Sequence, residues 1–131
     1  MLPKMGWARF GLLVSAAVLL VGCGGNGDGA SYDRESMGAC LRDGGADVEE
    51  SEDFIAEQAK DGGLDVEFEN GDTATFYFEG TEGQAKAIVP TTKAFAEELY
   101  PGAEVEQHGN LVMAYWQETA DESKDVADGC L

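Results

Sequence analysis

Apolar and polar residues alternate with a period of two from Leu64 to Glu79, with one interruption at Asn70-Gly71. Leu64, Val66 and Phe68 stand against Asp65, Glu67 and Glu69, and then Ala74, Phe76 and Phe78 against Thr73, Thr75 and Tyr77. Successive side chains of a strand point to opposite faces, so this is the pattern of a β-hairpin. A two-residue Asn-Gly turn would set Val66 opposite Thr75, apolar against polar. A three-residue loop, Glu69-Asn70-Gly71 with Gly71 left-handed, sets Val66 opposite Ala74 and Leu64 opposite Phe76. Register follows the buried face, which selects the longer loop.

A second hairpin spans Ala103 to Gln117 across Gly109-Asn110, where glycine in the first position suits a type II′ turn. It opposes Val105 to Ala114 and Ala103 to Trp116. Leu111, Met113 and Tyr115 then fall on the other face. Either that strand is covered on both sides, or the three residues form an exposed apolar strip and a candidate partner surface.

Helical spacing accounts for the remainder. Asp33 caps a helix to Arg42 that turns Met37, Cys40 and Leu41 inward and stops at Gly44-Gly45. Ala46-Asp47-Val48-Glu49 alternates as a candidate extra strand. Ser51 caps a helix through Lys60 that buries Phe54, Ile55 and Ala59. Thr81-Glu82-Gly83-Gln84 has capping-box spacing and opens a helix to Tyr100, with Ile88, Thr92, Phe95 and Leu99 as its inward stripe. Pro90 is expected to kink or divide it. Thr119–Gly129 is a final helix that directs Ala120 and Val126 to the core and delivers Cys130. Two hairpins with a long helix between them predict an α+β fold, an antiparallel sheet with helices packed on one face.

The first 22 residues belong to a different pattern. Lys4 and Arg9 precede the apolar run Phe10–Val21, which is too short to span a bilayer comfortably and reads as a secretory signal. Leu20-Val21-Gly22-Cys23 resembles a bacterial lipobox. The resemblance implies cleavage between Gly22 and Cys23, a diacylglyceryl thioether on Cys23, and a protein held on the extracytoplasmic face of the cell membrane. Two acyl chains hold a protein stably where one does not. Residues 23–32 read as a glycine-rich tether, and 33–131 as one small domain.

Charge and cysteines sharpen this outline. The chain carries 26 acids against 8 Lys and Arg; Lys4 and Arg9 leave with the signal, which takes the formal charge from −18 to −20. Such a surface opposes nucleic acid and anionic headgroups. It suits a solvated exterior, cations, or a basic partner such as another envelope protein. With Cys23 assigned to lipid, Cys40 and Cys130 remain as a disulfide pair in an oxidising compartment, the alternatives being buried thiols or an intermolecular link. No C-x-x-C spacing suggests redox chemistry.

The start Cys40-Leu41-Arg42-Asp43 with Gly45-Ala46-Asp47-Val48, the strand Gly109–Ala114 and the terminal Gly129-Cys130-Leu131 are similar to small secreted or lipid-anchored actinobacterial domains. That resemblance implies location and no activity.

Catalytic signatures are absent from the sequence. There is no G-x-S-x-G serine and no phosphate loop. The single histidine, His108, sits beside a turn with Glu104 and Glu106 on its side and reads as a surface residue. A His/Cys zinc site is not expected, nor is any cofactor. Asp65, Glu67 and Glu69 imitate a calcium loop, but Asn70 occupies the position that needs glycine. Glu49, Glu50, Glu52 and Asp53 could attract cations weakly. The expectation is therefore a non-enzymatic envelope lipoprotein that binds or supports another component. The alternatives are a small hydrolase using paired carboxylates and a lipid-anchored calcium binder.

Overall fold

The structure is a computed structural model and describes residues 30–131. The signal segment, Cys23 and the tether as far as residue 29 lie outside the described residues. Within the domain the elements run α1 (Arg34–Asp43), β1 (Asp47–Glu50), α2 (Phe54–Gln58), β2 (Gly63–Glu67), β3 (Thr73–Phe78), α3 (Glu82–Leu99), β4 (Glu104–His108), β5 (Leu111–Tyr115) and α4 (Asp121–Asp128). The five strands form one sheet in the order β1-β2-β3-β5-β4, and every neighbouring pair is antiparallel. The fold is α+β, with the candidate extra strand present as β1.

Both hairpin registers are those selected by apolar pairing. Val66 faces Ala74 and Leu64 faces Phe76. Phe68 N–H donates to the Asp72 carbonyl at 2.8 Å, and Gly71 N–H to the Phe68 carbonyl at 2.9 Å, with Gly71 at φ +95°. In the second hairpin Val105 faces Ala114 and His108 faces Leu111. Only the first loop residue, Gly109, has positive φ (+57°), as a type II′ turn requires.

The helices cover both faces of the sheet rather than one, which corrects the expected arrangement. Met37 and Leu41 of α1 and Ala127 of α4 pack with Leu64, Val66, Phe76, Phe78, Leu111, Met113 and Tyr115. On the opposite face, Ile55 and Ala56 of α2 and Ala85 of α3 pack with Tyr77, Val112 and Ala114. Every residue of β5 is consequently buried. The apolar run LVMAY is what a strand covered twice demands.

Cys40 and Cys130 form a disulfide with Cα atoms 5.8 Å apart, joining α1 to the chain just beyond α4. A second tie is polar. The buried Asn110 side chain accepts from Tyr32 N–H at 2.6 Å and donates to the carbonyls of Tyr32 and Glu79 at 2.9 and 2.8 Å. The first residues of the domain are thereby clamped to the β4–β5 turn. Asp72 makes a third tie. Helix α4 has no side-chain cap of its own, and Asp72, from the β2–β3 loop, accepts from Ala120 N–H at 3.0 Å and from the Ser123 hydroxyl at 2.9 Å.

Four helical details differ from the pattern reading. Asp53, not Ser51, caps α2, accepting from Ala56 N–H at 2.7 Å. Phe54 and Leu99 are exposed, because α2 is a single short turn and α3 faces the sheet with its small residues Ala85, Thr92 and Ala96. Helix α3 is not divided at Pro90; it runs unbroken, with the Thr92 hydroxyl donating to the Ile88 carbonyl at 2.8 Å beside the missing proline donor. Ala120 is exposed, and α4 turns Ser123 and Ala127 inward instead.

Two outcomes follow. Replacing Cys40 and Cys130 together with Ser removes a cross-link that closes a loop of 90 residues, worth about 4.5 kcal/mol by chain entropy; denaturant titration reads this as a lower midpoint. The hydrogen bond from Ala120 N–H, with those from Ser123 and Asn70, holds the Asp72 carboxyl below its ordinary range. Its stabilisation is therefore present above the unfolded-state value and is lost as pH falls through the folded one, below about pH 4. Asp72→Asn is expected to flatten the acid limb of a stability-against-pH curve, and an unaltered limb would contradict this.

Candidate binding surface

The helical layer over the α2/α3 face is incomplete. Helix α3 lies over β4 and β5, and α2 reaches only the adjoining ends of β2 and β3, beside Gly63 and Tyr77. The corner formed by β1, β2 and the start of β3 is left bare, and an aromatic cluster borders it. Phe54 and Phe95 meet edge-on with ring centroids 5.1 Å apart; Phe95 meets Trp116 at 5.9 Å, and Tyr100 meets Trp116 at 5.1 Å. Phe54 is 47% exposed, Leu99 53% and Tyr100 41%, and these are three of the four exposed large hydrophobics among the described residues. Exposed apolar groups gathered in one place mark contact surfaces more often than scattered ones do.

Trp116 also lines the bare corner, a groove of about 310 Å³ bounded by Asp47 and Glu49 of β1, Asp65 and Glu67 of β2, and Thr73 and Thr75 of β3. The register sets Asp47 directly opposite Glu67, and Glu49 opposite Asp65. Like charges directly opposed across strands are destabilising. None of the four has an ion-pair partner among the described residues. A relay fixes the Trp116 ring: its indole N–H donates to the Thr75 hydroxyl at 2.8 Å, which donates to Asp65 at 2.9 Å. The Tyr77 hydroxyl donates to Asp53 at 2.8 Å, and burial, followed by that bond and the Asp53 charge, raises its pKa well above the usual phenol range. It is a neutral structural donor.

The candidate strip fares differently. Leu111, Met113 and Tyr115 are fully buried, so they offer no partner surface; α1 and α4 cover them. The Lys124 ammonium lies 5.6 Å from the centre of the Tyr115 ring and pairs with Glu104. The Tyr115 hydroxyl has no hydrogen-bond partner among the described residues. Burial foremost, with the charges of Glu106, Asp128 and Glu104, pushes that phenol up.

The remaining candidates do not converge. His108 is half-buried and hydrogen-bonds Glu106 at 3.2 Å. Glu49 and Glu50 point to opposite faces of β1, and Asp53 is occupied as a cap, so the acidic run from 49 to 53 is dispersed. Asp65 and Glu67 lie on a strand and Glu69 beyond it, in no calcium-loop geometry. Among the described residues, no three His, Cys, Asp or Glu side chains are grouped to hold a metal ion. A wider cleft, about 810 Å³, lies between α1 and the α2–β2 connection. Two of its cations are already engaged: Arg34 lies 3.7 Å from Glu50, and Arg42 donates to the Val48 carbonyl at 3.1 Å.

Among the described residues, no helix is long and apolar enough to cross a membrane. Comparison with protein-family models, curated proteins and solved structures finds no match. The aromatic surface escapes the sequence pattern because its members come from three separate stretches of the chain: Phe54, the end of α3 with Phe95 and Tyr100, and Trp116. The one local signal is Phe54-Ile55: adjacent residues on a short helix cannot both face the sheet with Ala59.

The two buried hydroxyls predict opposite effects. Tyr115→Phe deletes an unpartnered group and is expected to leave thermal stability unchanged or slightly raised. Thr75→Val strands the Trp116 N–H and costs about 1–3 kcal/mol. Calorimetric unfolding of both variants checks the contrast.

Proposed function

We propose that the protein is a lipid-anchored, extracytoplasmic domain without catalytic activity that binds another envelope component through the Phe54–Phe95–Tyr100–Trp116 surface. The observation that carries this reading is the exposed aromatic cluster at the edge of an otherwise polar, strongly acidic domain. Its position supports the reading further. Tyr32 enters at the end of the sheet that holds Phe78 and the β4–β5 turn. Trp116 and Tyr100 lie beyond the opposite end, where Thr73 and Tyr115 stand. A tether that enters at Tyr32 would therefore leave Trp116 and Tyr100 at the far end of the sheet from it. The lipobox residues Leu20-Val21-Gly22-Cys23 support the anchor, and the acidic surface supports a domain that stands off anionic headgroups rather than lying on them.

Paired carboxylates do occur, as Asp47 with Glu67 and Glu49 with Asp65, but on an exposed sheet face rather than in a pocket that excludes water. This favours binding over hydrolysis.

Two measurements test the reading. Cys23→Ser is expected to abolish labelling by a fatty-acid probe and release the protein from the membrane fraction; undiminished labelling would overturn the anchor. Crosslinking and pull-down from intact cells should recover a reproducible partner with the native chain and lose it with Tyr100→Ala. Recovery of the same proteins by both forms would overturn the surface.

A further inference from the structure

The chemistry of the surface restricts its occupant, if the reading of it as a docking site is granted. Four carboxylates, Asp47, Glu49, Asp65 and Glu67, line the groove, and among the described residues no cationic side chain does. Of the six basic residues beyond the signal, Arg34, Arg42 and Lys60 line the cleft beside α1, Lys124 pairs with Glu104 on the opposite face, and Lys86 and Lys93 lie on α3. The two cross-strand pairs of like charge are thus left without internal compensation, a cost that an external cation would relieve.

Small inorganic cations would not use what lies beside them. Trp116 belongs to both groove and aromatic cluster, and its ring orientation is held by the relay through Thr75 to Asp65. Aromatic faces attract ammonium and guanidinium groups, and long basic side chains lay an apolar stem along apolar surface while the head seeks charge. An aromatic shelf leading into a carboxylate groove matches both halves of such a side chain. Nucleic acid and anionic lipid meet only repulsion there.

We infer that the surface receives an extended protein segment bearing lysine or arginine, its alkyl stems against Trp116 and Tyr100 and its cationic heads among Asp65, Glu67 and the β1 carboxylates. A domain of this charge attracts any polycation through its whole field, so the test separates the site from the field.

The anchored protein, solubilised in detergent, is titrated with a short glycine/serine peptide carrying spaced lysines and with the same peptide acetylated on every lysine. The lysine peptide is expected to bind, to weaken as ionic strength rises from about 50 to about 300 mM, and to lose about tenfold or more on acetylation. Tyr100→Ala, which alters no charge, and the pair Asp65→Asn with Glu67→Gln should each weaken it about fivefold or more. The matched pair Asp121→Asn with Glu122→Gln, on exposed α4 positions, should leave it unchanged. Equal loss from the α4 pair, indifference to Tyr100→Ala, or equal binding of the acetylated peptide would overturn the inference. Thermal unfolding of each variant shows that it is folded. If cells yield a Tyr100-dependent partner while the lysine peptide fails, this inference falls and the docking surface stands. If no Tyr100-dependent partner is found, the docking reading itself falls.

Discussion

Strand β5 is buried on both faces, and the rest of the domain is arranged to make that so. Leu111, Met113 and Tyr115 look to one layer and Val112 and Ala114 to the other. Each large apolar side chain removed from water contributes about 1.5–3 kcal/mol, so a single layer of helices would forfeit much of what this segment offers. Two layers require the chain to pass from one side of the sheet to the other. It does so twice: α1 packs on one face, α2 and α3 on the other, and α4 returns to the first. β5 also enters between β3 and β4, two strands made before it. The sheet is therefore complete only near the C-terminus, and the disulfide immediately beyond α4 secures the layer that closes it.

The hairpins were legible because period-two alternation and turn glycines are local facts, and apolar pairing chose both registers. The disulfide followed from counting three cysteines with one assigned to the lipobox. The double coverage of the sheet was only half legible. The run LVMAY admitted two readings, and the choice between them depended on where α1 and α4 pack, which no local pattern states. Short α2 misled for a related reason: with Asp53 as cap, the helix begins at Phe54 and faces it outward. The aromatic surface was hidden, since Phe54 and Trp116 join Phe95 and Tyr100 at the end of α3 only through the tertiary fold.

The bare corner of the sheet is the counterpart of this packing. A five-residue α2 and an α3 aligned with β4 and β5 cannot reach β1 and the far end of β2. Those strands meet solvent on one face and carry acids there, and the same shortfall exposes the rims of Phe54 and Tyr100. Apolar and acidic groups come together because two helical edges stop short of one another. The Trp116–Thr75–Asp65 relay joins the two regions by hydrogen bonds, so the ring and the nearest carboxylate hold a common orientation.

The clamp between Asn110 and Tyr32 bears on how the domain transmits force. A pull between Tyr32 and Trp116 acts between opposite ends of the strands, roughly along them. The ladder is then loaded in shear, with many hydrogen bonds sharing the load, rather than unzipped one at a time. Should the ladder yield, the Cys40–Cys130 bridge provides a covalent shortcut. The stretch that can pay out between those two points is roughly 22 residues instead of roughly 84, or on the order of 80 Å. A domain loaded this way would behave as a short, stiff strut.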